Sequence, residues 1–537
     1  EQPPGSYPKY LLGRQTYWTP VGTGEDVTQA LFNEEGMVEV DKGTFSIEPF
    51  LYVDGRLVTW ADVTLKQELE EGYLPVPSAE WRRHDLLLRI TACATGDSGA
   101  SVLYLRYRLE NRADEARQVR FFAALRPFQV TPTWQHWQAF GGVSRIEELG
   151  YGAEGVRVNR HKLIIPLTTP NRFGAAAFAQ GAITEYLASG ELPPDTHIND
   201  DFGYASGALR YDLELAPRSA QEIYLAIPFG AAEIQGSAVS APLPSQVAGA
   251  EQFAIAVQQW KTTLGAVDIR LPPKAQSVVD TLKTAAAHIL INRAGPALHP
   301  GPRRYSRSWI RDGALMAAAL LRIGCTDASR DFIRWYAGYQ TEEGNLPDCA
   351  DIDGTEWLPE YDCWGEFIFA IMDTYRFTGD REFLIEMWPA VLKSVDYMEA
   401  LRNQRLTAEY RTPEKQACYG LLPESMSHEG YMAHPVHAYW DDFWVLRGLK
   451  DATALAVILG DRIQAQRLAT LRDDFRDTLY ASLESVIRER QLDYIPGSVE
   501  LADFDPAATA IAITVADELH NLPAAIVDAM FANYLAG

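Results

Sequence analysis

The spacing of apolar residues divides the chain into two regimes. Between about 10 and 235, apolar and polar positions alternate in short runs, among them 43–47, 85–91, 101–109, 119–125, 162–167 and 208–215. A period of two predicts β-strands. Turn-forming pieces such as Gly96-Asp97-Ser98-Gly99 and Glu110-Asn111-Arg112-Ala113-Asp114 separate the runs. Many short strands with turns between them predict a large antiparallel sandwich. The pattern breaks over 237–275, where Pro242-Leu243-Pro244 and Leu271-Pro272-Pro273 bracket a helical stretch at 246–264. Proline pairs of this kind punctuate a chain, so this stretch reads as a linker carrying one helix.

From about 276 the period becomes helical. The clearest case starts at Cys363, with Trp364, Phe367, Ile368, Ile371, Met372 and Tyr375 on one face. Their spacing is that of successive helical turns. Helices are also expected at 277–293, 311–323, 327–340, 382–402, 439–459, 462–479, 506–519 and 523–535. Short and long loops alternate between them. Helix pairs in series with long loops on one side predict a toroid of α-hairpins. The expected domains are therefore a β-sandwich at 1–236, a linker with a helix at 237–275, and an α/α-toroid at 276–537. A toroid of six hairpins needs twelve helices, so it is either incomplete or continues beyond Gly537.

Composition narrows the partners. A length of 537 residues requires more than one core. A net charge of −24 repels phosphate backbones and anionic lipid headgroups, which argues against nucleic acid and favours a neutral substrate. No apolar run is long enough to span a membrane. The five cysteines are scattered without CxxC spacing, which argues against a disulfide framework and a structural zinc site. No cofactor is called for. The chain opens with Glu1-Gln2-Pro3-Pro4-Gly5, which reads as the interior of a longer polypeptide, so compartment and oligomeric state stay open.

Three loops concentrate polar chemistry, and each leads into an even-numbered helix of the expected toroid. Those helices form the inner ring, so the loops should converge on one funnel. The first loop, 299–313, ends Arg307-Ser308-Trp309-Ile310-Arg311-Asp312-Gly313 beside a very apolar helix. Charges placed there must be paired or used. Arg311 beside Asp312 offers a donor fork and an acceptor, which suits vicinal sugar hydroxyls, although an ion pair or an N-cap would use the same residues.

The second loop, 351–366, interleaves six carboxylates with Trp357 and Trp364; Asp362 is either a sugar ligand or the N-cap of the next helix. The third, 419–444, holds Glu424, Glu429, His428, His434, His437, Trp440, Asp441 and Asp442. Glycoside hydrolysis needs one carboxylic acid to protonate the leaving oxygen and one carboxylate to activate water or attack carbon. Glu424 and Glu429 are the candidates for the acid. The two aspartates are favoured in a first helical turn on dipole grounds alone. The histidines make no recognised metal-ligand motif. In a fourth segment, Asp503 is a candidate sugar contact, and Asp505 before Pro506 reads as an N-cap with a proline at the first helical position.

Arg307-Ser308-Trp309-Ile310-Arg311-Asp312-Gly313, then Tyr361-Asp362-Cys363-Trp364 running to Tyr375-Arg376-Phe377-Thr378-Gly379-Asp380, resembles the six-hairpin glycosidases, which include glucoamylases and bacterial glycogen-debranching-type enzymes. The resemblance covers about 275–535. It implies that Arg311 and Asp312 grip the terminal sugar. It also implies a general acid in the loop 403–438, with Glu429 at about the right distance before the sixth helix and Glu424 next. The general base would fall beyond residue 537, and the default stereochemistry is inversion.

The expected function is therefore a glycoside hydrolase acting on a neutral oligosaccharide or glycan, exo-acting and inverting. Glu429 or Glu424 would be catalytic. Arg311, Asp312, Trp309, Trp357, Asp362, Trp364, His437, Trp440 and Asp441 would bind substrate. A glycoside phosphorylase of the same architecture and a non-catalytic glycan-binding protein are the competing readings.

Overall fold

A computed structural model describes residues 4–24, 26–135, 141–230, 246–351 and 354–536. Pro242-Leu243-Pro244 and Asp353 lie outside the described residues. Contacts divide the chain into two compact units, Glu1–Gly295 with His299–Ser306, and Pro296–Leu298 with Arg307–Gly537.

The first unit is built on two antiparallel sheets. One runs in the order Trp18–Val21, Ala30–Asn33, Val38–Glu39, Ser46–Val53, Arg117–Arg126, Ser206–Leu215, Arg172–Ala176, with Arg56–Val58 also paired to Ser46–Val53. The other runs His197–Asn199, Glu148–Gly152, Gly155–Val158, Lys162–Pro166, Ala220–Pro228, Val102–Asn111, Leu86–Thr95, Leu74–Arg83, Thr64–Glu70. The alternation that predicts the strands also decides which faces are covered. In Val102–Asn111, Leu103, Leu105, Tyr107 and Leu109 are buried while Arg106, Arg108 and Glu110 point away. These side chains join Ile90, Phe121, Leu125, Leu209 and Ile223 in one core, where the rings of Tyr107 and Phe121 lie 4.6 Å apart. Helices α1 (Ile183–Leu187), α2 (Gln246–Leu264) and α3 (Gln276–Ile291) belong to this unit. So does His299–Ser306, where Arg303 Nε donates to Glu39 Oε1 at 2.8 Å in a fully buried ion pair.

The second unit contains α4 (Ile310–Arg322), α5 (Thr326–Ala337), α6 (Cys363–Thr378), α7 (Arg381–Asn403), α8 (Tyr439–Leu459), α9 (Arg462–Arg490), α10 (Pro506–Thr514) and α11 (Ala524–Ala536). A small antiparallel sheet of Ser308–Trp309, Cys349–Asp351 and Gly354–Glu356 precedes α4 and α6. Burial separates the helices into two kinds. Every residue from Cys363 to Thr374 of α6 and from Tyr439 to Leu449 of α8 is buried, so these helices are covered all round. By contrast α9 buries Leu468, Leu471, Phe475, Leu479, Leu483, Val486 and Ile487, a single stripe. Helix α9 runs eleven residues past the expected end at 479, because Leu483, Val486 and Ile487 continue that stripe until Gln491 turns left-handed with φ 55°.

Helices α6 and α8 touch backbone to backbone. A Cβ on Gly365 would stand 2.1 Å from the Trp444 carbonyl oxygen, and one on Gly448 would stand 2.9 Å from Gly365 Cα. Glycine is required at both positions for this approach. Gly365→Ala is therefore expected to lower unfolding free energy by about 3 kcal/mol, as overpacking does, measured by urea denaturation. A loss below a few tenths would mean that the helices have room to part.

Candidate active site

The site is assembled from the N-terminal ends of four helices of the second unit. Arg311 lies in the first turn of α4. Its Nη1 donates to Glu360 Oε2 at 2.9 Å and Asp362 Oδ2 at 3.3 Å, both from the loop entering α6. Asp362 is wholly buried and its side chain makes no capping bond to α6. It receives instead a third element, because Trp440 Nε1 of α8 donates to the same Oδ2 at 2.7 Å. Asp362 thus occupies the N-cap position of α6 while its side chain joins three helices instead of capping one.

Asp441, next to Trp440, is also fully buried. Ser427 Oγ donates to it at 2.9 Å, and Ser425 Oγ donates to its other oxygen. These bonds tie down the loop before α8. That loop closes at a neck where Ser425 N donates to Val436 O at 2.8 Å and Val436 N returns a bond to Ser425 O at 3.1 Å. Beyond the neck, Ser427 and Glu429 take left-handed backbone angles, φ 52° and 66°. The imidazole of His428 stacks on Trp440 at 4.5 Å between ring centroids, and its Nε2 lies 3.7 Å from Asp505. Asp505 caps α10 through the N–H groups of Ala507 and Ala508, as its place before Pro506 suggests. Asp503 accepts hydrogen bonds from Tyr431 Oη at 2.8 Å and Ser498 Oγ at 2.7 Å.

The electrostatics follow from one guanidinium among several carboxyls. Burial works against the charge of Arg311, but Asp362, Glu366 and Glu360 outweigh it and hold the proton more tightly than usual. Burial, opposed by Arg311 and reinforced by Asp362, pushes Glu360 up to about 8. Burial also raises Asp441 well above the usual range; Asp362 adds to this, and the two serine hydroxyls oppose it. Asp312 is half-buried and raised by burial, with Arg311 pulling it down and the charge of Glu429 pushing it up. Burial lowers His428, which favours the neutral imidazole.

The structure brings Arg311, Asp362, Trp440 and Asp441 together, with Asp312 and Glu429 within electrostatic reach. Glu429 is solvent-exposed. Glu424 and His437 sit in a neighbouring network. Arg405 pairs with Glu424 and donates through Nε to His437 Nε2 at 3.2 Å, while His437 Nδ1 lies 2.6 Å from Glu500 Oε1. Burial raises Glu424, but a backbone N–H, His437 and Arg405 prevail and leave it below its ordinary value. Trp364 is turned into the core against Tyr361 and Tyr397. Trp309 is buried beside the Arg307 guanidinium, 5.6 Å away. Trp357 is exposed, its indole N–H bonded to Thr355 Oγ1 at 2.8 Å. Ser425 and Ser427 are not singled out by the sequence, and Glu366 enters there only as one of the six carboxyls of 351–366, one helical turn after Asp362. Ser and Thr in loops carry no distinguishing signal.

Among the described residues, Cys418, His437 and Glu500 place three metal-ligand atoms within 4.8 Å of one another. The Arg405 N–H directed at His437 Nε2 fixes the hydrogen on Nδ1, facing Glu500. Both donor atoms are therefore already engaged, and a guanidinium beside them opposes a cation. No helix among the described residues is long and apolar enough to cross a membrane.

No protein-family model matches the chain. An uncharacterized glycosyl hydrolase of Methanocaldococcus jannaschii is 24% identical over 196 residues, 34% of this chain and 30% of that protein. A bacterial glucoamylase complexed with acarbose superposes with a TM-score of 0.59 at 11% identity, covering 86% of this chain and 66% of that one. A protein described as a kojibiose phosphorylase, from the human microbiome, gives a TM-score of 0.40 at 11% identity, covering 89% and 63%. The chain thus spans less than two thirds of the length of the curated relative and of each of these structures. The glucoamylase likeness shows the fold alone, an N-terminal β-sandwich followed by an α/α-toroid.

Replacing Arg311 by Met leaves buried carboxyls without their counter-charge. The expected cost is about 3–5 kcal/mol near neutral pH. The deficit should widen as pH rises above about 8, because Glu360 then ionises beside Arg311 in the wild type but has no counter-charge in the variant. Denaturant melts of both proteins across pH would check this; a deficit that is independent of pH would contradict it.

Proposed function

We propose that this protein is a glycoside hydrolase of a neutral oligosaccharide or glycan, exo-acting and inverting, working by general acid–base catalysis. The observation that carries the reading is the buried Arg311–Asp362–Trp440 hub at the mouths of α4, α6 and α8. A hub of fixed donors and acceptors ringed by carboxyls is what holding a polyhydroxylated ring requires. The likeness in fold to a glucoamylase and the partial sequence match to a glycosyl hydrolase support the same class.

In this reading Arg311, Asp312 and Asp362 take the terminal sugar's hydroxyls, and Asp441 holds the loop that carries the acid. Glu429 is the general acid. It lies on the exposed loop beyond the neck, close enough to Asp312 for the two charges to interact. Glu424 is the second candidate, but its pairing with Arg405 favours the ionised form, which suits a proton donor less well. The net charge of −24 agrees with an uncharged substrate.

The test is a screen of aryl glycosides and natural oligosaccharides with the full-length protein, with and without phosphate. Turnover should release free sugar without phosphate, and the first-formed anomer should be inverted by NMR. Glu429→Gln should lose about 10²–10⁴-fold in kcat while retaining acarbose binding. Survival of every neutral glycan, or unaltered turnover in the variant, would overturn the assignment.

A further inference from the structure

Glu366 takes no part in that reading, yet it is the least compensated side chain of the site. It lies in the first turn of α6, four residues after Asp362, and is completely buried. Neither of its oxygens receives a hydrogen bond from a protein donor. The group within hydrogen-bonding range is the Asp362 carboxyl. Arg311 is directed at Glu360 and Asp362, not at Glu366. Two carboxyls in contact away from water do not both ionise; one proton between them turns repulsion into a charge-assisted hydrogen bond. Asp362 has donors from Arg311 and Trp440 and Glu366 has none, so the anion belongs on Asp362 and the proton on Glu366.

We propose that Glu366 is a positioning residue that keeps its proton and donates it to Asp362, holding that carboxylate charged and aimed for Arg311, Trp440 and a ligand hydroxyl. Burial, then the charge of Asp362, hold the Glu366 proton well beyond the ordinary carboxyl range, with Arg311 opposing. The other groups that face it are Glu360 and Cys363 on its own segment and Tyr336 on α5. Asp441 of α8 acts on the pair through Asp362. The consequence for ligand binding rests on the assignment of Asp362 as a sugar ligand. When Glu366 gives up its proton to solvent, a second anion stands against Asp362 and the grip weakens. The sign for stability is fixed as well. A carboxyl raised in the folded state contributes fully below its unfolded value, and that contribution is lost as pH rises towards the folded one.

Infrared difference spectra of the full chain at neutral pH, wild type against Glu366→Gln, should show the loss of one protonated-carboxyl C=O band. Asp362→Asn should shift the same band, because its hydrogen-bond acceptor changes. In thermal melts, Glu366→Gln should gain on the wild type as pH rises above the ordinary glutamate range. Acarbose affinity of the wild type should fall at alkaline pH by up to about tenfold per pH unit, the slope of a one-proton linkage, and the fall should be absent in Glu366→Gln. If neither variant alters a carboxyl band, or the stability difference does not depend on pH, the proposal is wrong. If the wild type does not bind acarbose, the hydrolase assignment is what suffers, and the infrared and melting results still decide the role of Glu366.

Discussion

A single guanidinium organises the second unit. Arg311 is the positive group against which Glu360 and Asp362 are buried, and Asp362 in turn fixes Trp440. Carboxylates are costly to remove from water, and an unpaired one at a helix mouth would draw water in or take up a proton. With Arg311 in place, the same acids become a rigid acceptor surface. Three helices, α4, α6 and α8, meet at that charge, and backbone contact at Gly365 and Gly448 sets how closely two of them approach. Side chains further out inherit the arrangement: Asp441 follows Trp440 along α8, and its serine partners anchor the loop beyond.

The fold was legible where one face of an element is buried, because burial writes a period into the sequence. Strand alternation in 101–109 and helical spacing after Cys363 both predict what forms. The end of α9 was misplaced because charged residues between Leu479 and Arg490 mask the stripe of Leu483, Val486 and Ile487. Helices buried all round, such as α8, lose their period, and there length decides instead.

The site was legible as a set of loops and less so as a set of partners. Asp362 has two readings in the sequence, cap or ligand, and neither foretells that its side chain turns from its own helix to Arg311 and Trp440. Trp364 has the composition of a sugar platform, but α6 rotates it towards Tyr361 and Tyr397. The loop 299–313 reads as one basic stretch, yet Arg303 is spent on Glu39 in the first unit while Arg311 serves the second. Sequence adjacency cannot divide charges between two cores; only their buried partners do.

The neck between Ser425 and Val436 sets one segment of the chain apart. Two backbone bonds close it, and the hydroxyls of Ser425 and Ser427 hold its near side to Asp441. From His428 to Pro435 the chain lies beyond those fastenings and is held by fewer contacts, chiefly His428 on Trp440 and Tyr431 on Asp503. Replacement of that segment would strip His428 from Trp440 and Tyr431 from Asp503, and so change what lies against the Arg311 hub while the helix bodies stay. The architecture thereby separates a segment that the proposed chemistry holds in place, through Glu429, from helices that folding obliges the chain to keep.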